Sequence, residues 1–114
     1  MIHYDVTKTM QLALARGLAG TTAGTGATVN SVLPGPTRSE GAEEFLNIMA
    51  ASRKVTTAVI EREFFETVRP TSLLKRFATT SELAEFVTFN SSPLASATNG
   101  AALRVDGGVI RSVV

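Results

Sequence analysis

The chain has no cysteine and a single histidine, His3, among its 114 residues. Without cysteine, disulfides and thiolate metal sites are excluded. One histidine rules out a histidine-based metal cluster within one chain. A Ser-His-Asp triad would have to draw on His3, and no nucleophile-elbow pattern accompanies it. His3 therefore reads as a terminal residue. Charge is sparse too: 18% of the residues are charged, and the formal net charge is +1. That balance gives no electrostatic reason to expect nucleic acid or an anionic membrane as a partner. The low charge points to more buried surface than usual, inside the domain or against partners. No apolar run long enough for a membrane exists. Residues 17–37 and 86–103 carry no charge, but the first is rich in Gly, Thr and Pro and the second in Ser, Thr and Asn. Tyr4, Asp5 and Lys8 interrupt any signal-peptide core, so the expected location is the cytoplasm.

What is present is an α/β pattern of the size of one domain. Residues 5–19 read as a helix with Asp5 or Thr7 as its cap. Met10, Leu14 and Leu18 form one stripe, and Ala13, Ala15 and Ala19 a second, small-residue face, so this helix is expected to be covered on more than one side. Residues 20–27 are a flexible connection and 28–33, TVNSVL, a strand stopped by Pro34-Gly35-Pro36. Two helices are expected within 40–68, with stripes of Phe45, Ile48 and Met49, then of Val55, Val59, Ile60 and Phe64. Thr79 and Glu82 make a capping box opening a further helix, with Leu83, Phe86 and Val87 as its core face. Asn99-Gly100 turns the chain into a last strand, AALRV, ended by Asp106-Gly107-Gly108. Strands separated by helices argue for parallel pairing. Two parallel strands cannot cover themselves, which marks the sheet as incomplete.

Tyr4 and Lys8 stand four apart, on one helix face. An ammonium beside a phenol favours the phenolate, and such a tyrosine can exchange a proton with a carbonyl or alcohol oxygen. The spacing alone does not separate this reading from chance. Gly20, Gly24 and Gly26 have the spacing of a phosphate-binding loop, but a helix precedes them and a strand follows. That polarity is the reverse of what phosphate binding needs, so they read as a helix stop and loop. A Pro-Gly turn after a strand, and a strand with a turn at each end, decide nothing singly.

Their order decides more. YxxxK on a helix, VNxVxPGxT, a helical insert, a capped S-E-L-A helix and NGxxLxVDGG resemble, in sequence and spacing, the C-terminal half of the short-chain dehydrogenase/reductase family. The resemblance covers essentially all 114 residues. It implies the C-terminal portion of a Rossmann-type doubly wound parallel sheet, with two strands and about four to five helices here and the N-terminal half absent. Within it, 1–20 would be the catalytic helix, 28–37 a strand and Pro-Gly loop, 38–70 a substrate lid, 79–90 a helix and 101–108 the final strand.

The resemblance further implies an NAD- or NADP-dependent oxidoreductase interconverting a carbonyl and an alcohol. Tyr4 would exchange the proton. Lys8 would favour the phenolate and bind the nicotinamide ribose. Pro34 and Gly35 would lie beside the nicotinamide, and Thr37 would hold its carboxamide or the phosphates. Phe45, Met49, Phe64 and Phe65 would suit a substrate with apolar parts or pack the lid helices together. The family's glycine loop, adenosine selector, helix asparagine and catalytic serine all precede the tyrosine, and only three residues precede Tyr4. Asn30 is on the later strand and does not replace that asparagine. Hence the expectation is a fragment with negligible turnover and little dinucleotide binding on its own. The alternative is a non-catalytic oligomerisation or assembly module. Either way a homo-oligomer is expected, with exchanged segments as one route, and no membrane or nucleic-acid partner.

Overall fold

The computed structural model describes residues 2–113. The element order is α1 (Ile2–Thr21), β1 (Ser31–Pro34), α2 (Glu40–Arg53), α3 (Thr57–Glu63), a π-helical turn (Phe64–Val68), α4 (Thr80–Asn90), a 3-10 turn (Pro93–Ala95) and β2 (Ala102–Val105). β1 and β2 pair in parallel: the Ser31 N–H donates to the Ala101 carbonyl at 2.9 Å, and the Gly35 N–H to that of Val105 at 3.0 Å. The α/β class and the two-stranded parallel sheet agree with the sequence. Two compact units divide the chain, Met1–Leu33 with Phe86–Arg104, and Pro34–Glu85 with Val105–Val114.

In the first unit, β1 starts three residues later than TVNSVL suggests, because side chains take over the pairing there. Asn99 Oδ1 accepts from the Val29 N–H, Asn30 Nδ2 donates to the Thr98 carbonyl, and Asn30 Oδ1 accepts from the Ala101 N–H, at 2.9–3.0 Å. Two asparagines thus satisfy backbone groups that would otherwise be orphaned. α1 starts before the expected cap. Asp5 and Thr7 lie inside it, and the Thr7 hydroxyl donates back to the His3 carbonyl at 2.7 Å. The expected double coverage is not found either: Ala19 is the buried residue of α1, while Met10, Leu14 and Leu18 are 65%, 64% and 47% exposed.

In the second unit, Leu46, Ala50, Ile60, Phe65 and Phe77 form the core, with Met49, Val55 and Phe64 packed against it. Phe64, Phe65 and Phe77 make a mutual aromatic triangle with centroids 5.0–5.2 Å apart; each such pair adds about 0.5–1.5 kcal/mol beyond its buried area. α2 therefore docks through Leu46 and Ala50, one turn apart, and leaves Phe45 and Ile48 of the expected stripe exposed. Ser39 caps α2 through the Ala42 N–H. Thr79 and Glu82 form the expected capping box at α4: the Thr79 N–H donates to Glu82 Oε2 at 2.7 Å, and the Glu82 N–H to Thr79 Oγ1 at 3.1 Å. α4 itself buries no residue fully, so Leu83, Phe86 and Val87 are not a core face in this structure.

Among the glycines of this unit, Gly35 passes closest to another stretch of backbone. A Cβ there would stand 2.5 Å from Asp106 Cα and 2.7 Å from its carbonyl oxygen. Those are backbone atoms, with no rotamer to move aside. In contrast, a Cβ on Gly41, in the first turn of α2, meets nothing within 4 Å. Gly35→Ala is therefore expected to cost about 1–3 kcal/mol or more, and Gly41→Ala to gain about 0.5–1 kcal/mol from helix propensity. Urea unfolding followed by circular dichroism reads both; equal midpoints for the two variants would contradict the close approach.

Candidate active site

Tyr4 and Lys8 meet as the helical spacing dictates. The Lys8 ammonium lies 5.7 Å from the centroid of the Tyr4 ring, within cation–π range. It also donates to Gln11 Oε1 at 3.4 Å. Tyr4 is 51% exposed, so its phenol is open to a reacting molecule. Both residues belong to the first unit. Pro34, Gly35 and Thr37 belong to the second, where the structure brings those three together.

The Pro34–Thr37 loop lines a cavity of about 450 Å³ with Phe64, Arg69, Phe77, Asp106, Val109 and Ile110. Gly35 permits the close strand ends; Thr37 donates its hydroxyl proton to the Gly35 carbonyl at 2.9 Å. Asp106 is committed to its own turn. Its Oδ1 accepts from the Gly108 N–H and its Oδ2 from the Ile110 N–H, both at 3.0 Å. Gly107 and Gly108 take φ of 63° and 76°, the left-handed region that glycine enters without penalty. The Gly107 carbonyl then accepts from the Leu73 and Leu74 N–H groups at 2.8 and 3.0 Å. VDGG, expected to end the final strand, is therefore also a clasp that holds segment 71–74. Buried Ser72 completes it by accepting from the Lys75 N–H at 3.1 Å.

Phe64, Phe77 and Arg69 of this cavity carry no local motif. Phe64 reaches it from the π-helical turn, where its carbonyl accepts the Arg69 N–H at 3.0 Å, five residues on. The only hint in the sequence was Pro70, which ends the helical stretch. Phe64 and Phe77 stack on each other with centroids 5.1 Å apart and form one wall, and the Pro34–Gly35 backbone forms another. The glycines with phosphate-loop spacing lie elsewhere: Gly24 and Gly26 follow α1 and precede β1, with φ of 78° and 80°. No cluster of three His, Cys, Asp or Glu side chains able to hold a metal occurs among the described residues, and no helix among them is long and apolar enough to cross a membrane.

A larger cavity, about 920 Å³, is lined by Arg38, Glu61, Arg62, Glu66, Lys75, Arg76 and Glu82 above Phe65 and Phe77. Its arginines all face glutamates, while the Lys75 ammonium donates to the Pro70 carbonyl at 2.9 Å. Arg38 pairs with Glu43 and Glu61, Arg62 with Glu66, and Arg76 with Glu82. The Arg76 guanidinium, followed by the Thr79 N–H, brings the Glu82 carboxyl from 4.5 down to about 2. A carboxyl whose folded pKa is depressed stabilises the fold above its unfolded pKa and loses that contribution as pH falls toward the folded value.

The sequence matches the family described as enoyl-(acyl carrier protein) reductase over residues 1–110. Over 113 residues it is 51% identical to the oxidoreductase YvaG and 46% identical to the oxidoreductase YvrD, both of Bacillus subtilis. Each match covers 99% of this chain, which spans 43% of the length of either relative. Among solved structures, L-sorbose reductase from Gluconobacter frateurii, complexed with NADPH and L-sorbose, superimposes with a TM-score of 0.84 at 24% identity, over 96% of this chain and 41% of that one.

The Glu82 ion pair yields a pH test. Thermal melting of the chain and of Glu82→Gln should differ above about pH 5 and converge as pH falls from 4.5 toward 2. Parallel profiles over that window would contradict the pairing.

Proposed function

Because the chain belongs to the short-chain dehydrogenase/reductase family, we propose that it serves an NAD(P)-dependent oxidoreductase that interconverts a carbonyl and an alcohol, as the C-terminal portion of that enzyme's Rossmann domain. The observation that carries this reading is Tyr4 beside Lys8 on one open face of α1, within a family match running over residues 1–110. Two observations support it: Pro34, Gly35 and Thr37 line one cavity of about 450 Å³, and a structure of the same fold is an NADPH complex.

In the reduction direction, Tyr4 gives its phenolic proton to the substrate oxygen as that oxygen becomes an alkoxide. The Lys8 ammonium stabilises the phenolate left behind and would bind the nicotinamide ribose hydroxyls. Pro34 and Gly35 would lie beside the nicotinamide, and Thr37 would help to hold its carboxamide or the phosphates. The dinucleotide, when bound, supplies the hydride. Residues 38–70 serve as the lid over the substrate.

On its own the chain is expected to turn over negligibly. Among the described residues its sheet has two strands, α1 leaves its apolar stripe open, and a hydride donor would be held by the loop cavity alone. The open stripe favours a second reading, in which the chain acts as an assembly module. Ile2, Val6, Met10 and Leu14 are each more than half exposed along α1, and exposed apolar surface of that kind drives association.

Three measurements test this. Calorimetric titration of the chain with NADH and NADPH should show no sub-millimolar affinity; tight binding would sink the fragment reading. Exchanging the matched segment of YvaG for this chain should preserve whatever reduction YvaG itself performs on a ketone and aldehyde panel with NADH or NADPH. Tyr4→Phe in that chimera should then lower kcat by about 100-fold or more; retention of the rate would remove Tyr4 from the chemistry. Light scattering at micromolar concentration should give a dimer or larger species, and a monomeric mass would contradict the assembly reading.

A further inference from the structure

Asn99 stands before Gly100, and the fold of the first unit uses both residues. Gly100 has a φ of 69°, in the left-handed region that glycine enters without penalty. It also lies against α1: a Cβ there would come within 3.2 Å of Arg16 Cδ and 3.4 Å of the Ala19 side chain. Asn99 Oδ1 accepts from the Val29 N–H at 2.9 Å, and the Gly100 N–H donates to the Val29 carbonyl at 2.9 Å. The Asn99 side chain and the backbone amide that follows it therefore both end on Val29.

That shared partner has a chemical consequence. An asparagine side chain is open to attack by the backbone nitrogen of the next residue. The nitrogen gives up its proton and bonds to Cγ, the Cγ–Nδ2 bond breaks, and ammonia leaves. Water then opens the cyclic imide at either carbonyl, which yields aspartate or iso-aspartate. No oxidant, reductant or cofactor takes part. A side chain on the attacking residue hinders its approach, and glycine has none. Asn30, Asn47 and Asn90 precede Ser31, Ile48 and Ser91, whereas Asn99 precedes glycine. Ring closure needs the nitrogen and Cγ in attacking geometry. In the folded chain the groups that must move into it are tied to Val29 instead. Asn99 is exposed, so water reaches it, and the restraint is the pair of hydrogen bonds rather than burial.

We propose that Asn99 is a deamidation site that Val29 keeps closed in the folded chain, and that iso-aspartate formed there undoes the start of the β1–β2 pairing. The two products differ in their backbone. Aspartate keeps an oxygen for the Val29 N–H. Iso-aspartate routes the main chain through the former side chain and lengthens it by a methylene, which displaces the Gly100 N–H from the Val29 carbonyl. The next bond in register runs from the Ser31 N–H, at the start of β1, to the Ala101 carbonyl at 2.9 Å, and it is lost with the first.

The test follows the full chain at mildly alkaline pH by ammonia release, peptide mapping and methyltransferase labelling of iso-aspartate. In native buffer, deamidation should map to Asn99 and run about tenfold or more slower than in denaturing urea, because the Val29 bonds must open first. Below the unfolding transition, added urea should raise the deamidation rate and the exchange rate of the Gly100 amide together. Asn30→Ala removes the neighbouring bonds to Thr98 and Ala101 and leaves Val29 and Asn99 in place. It should speed deamidation about threefold or more while circular dichroism shows a folded chain; should that variant not fold, the urea series carries the same decision. Asn99→Asp should keep the Gly100 and Ser31 amides protected from exchange, and the purified iso-aspartate form should lose that protection. Equal rates in native buffer and urea, no reaction at Asn99 in urea, or a Gly100 amide that opens without faster deamidation would overturn the closure by Val29. An iso-aspartate form with both amides still protected would overturn its effect on the strands.

Discussion

Everything at the loop cavity depends on how closely Gly35 passes Asp106. The two backbones approach to a distance that leaves no room for a Cβ, and the Gly35 N–H is spent on Val105. That approach fixes the end of β1 against the end of β2. From there, Asp106 folds its carboxylate back onto the Gly108 and Ile110 amides, and Gly107 takes up Leu73 and Leu74. One steric constraint thus sets the loop, the turn and the segment after the π-helical turn.

The same chain of contacts explains the contrast between the two cavities. In the larger one three arginines face three glutamates, and the Lys75 ammonium turns to the Pro70 carbonyl. The smaller one is built from backbone and aromatic walls, with its carboxylate used internally. Tyr4 and Lys8 stand apart on α1, where an exposed phenol and an ammonium share one helix face.

Much of this was legible in the sequence where the cause is local. A capping box needs only Thr79 and Glu82 at the right spacing, and it formed. Pro34-Gly35 and Asp106-Gly107-Gly108 mark their turns through the φ angles and donors these residues supply. The pairing of Tyr4 with Lys8 comes from helical pitch. What was not legible has tertiary causes. Phe45 and Ile48 looked like the inner face of α2, but the helix docks through the smaller Leu46 and Ala50, and that choice is made by α3 and the phenylalanine triangle. The start of β1 moved because Asn30 and Asn99 replace ladder bonds, with partners 68 to 71 residues away. The π-helical turn has no local signature, so neither Phe64 nor Arg69 could be assigned to the cavity from spacing.

The Gly35–Asp106 approach locks loop, turn and segment 71–74 into one cooperative unit, and native-state amide hydrogen exchange measures this cooperativity directly. The Gly35, Leu73, Leu74, Gly108 and Ile110 amides should open together, with protection comparable to the core amides of Leu46 and Phe65. Exchange of these five amides at unrelated rates, or as fast as exposed backbone, would contradict a single lock.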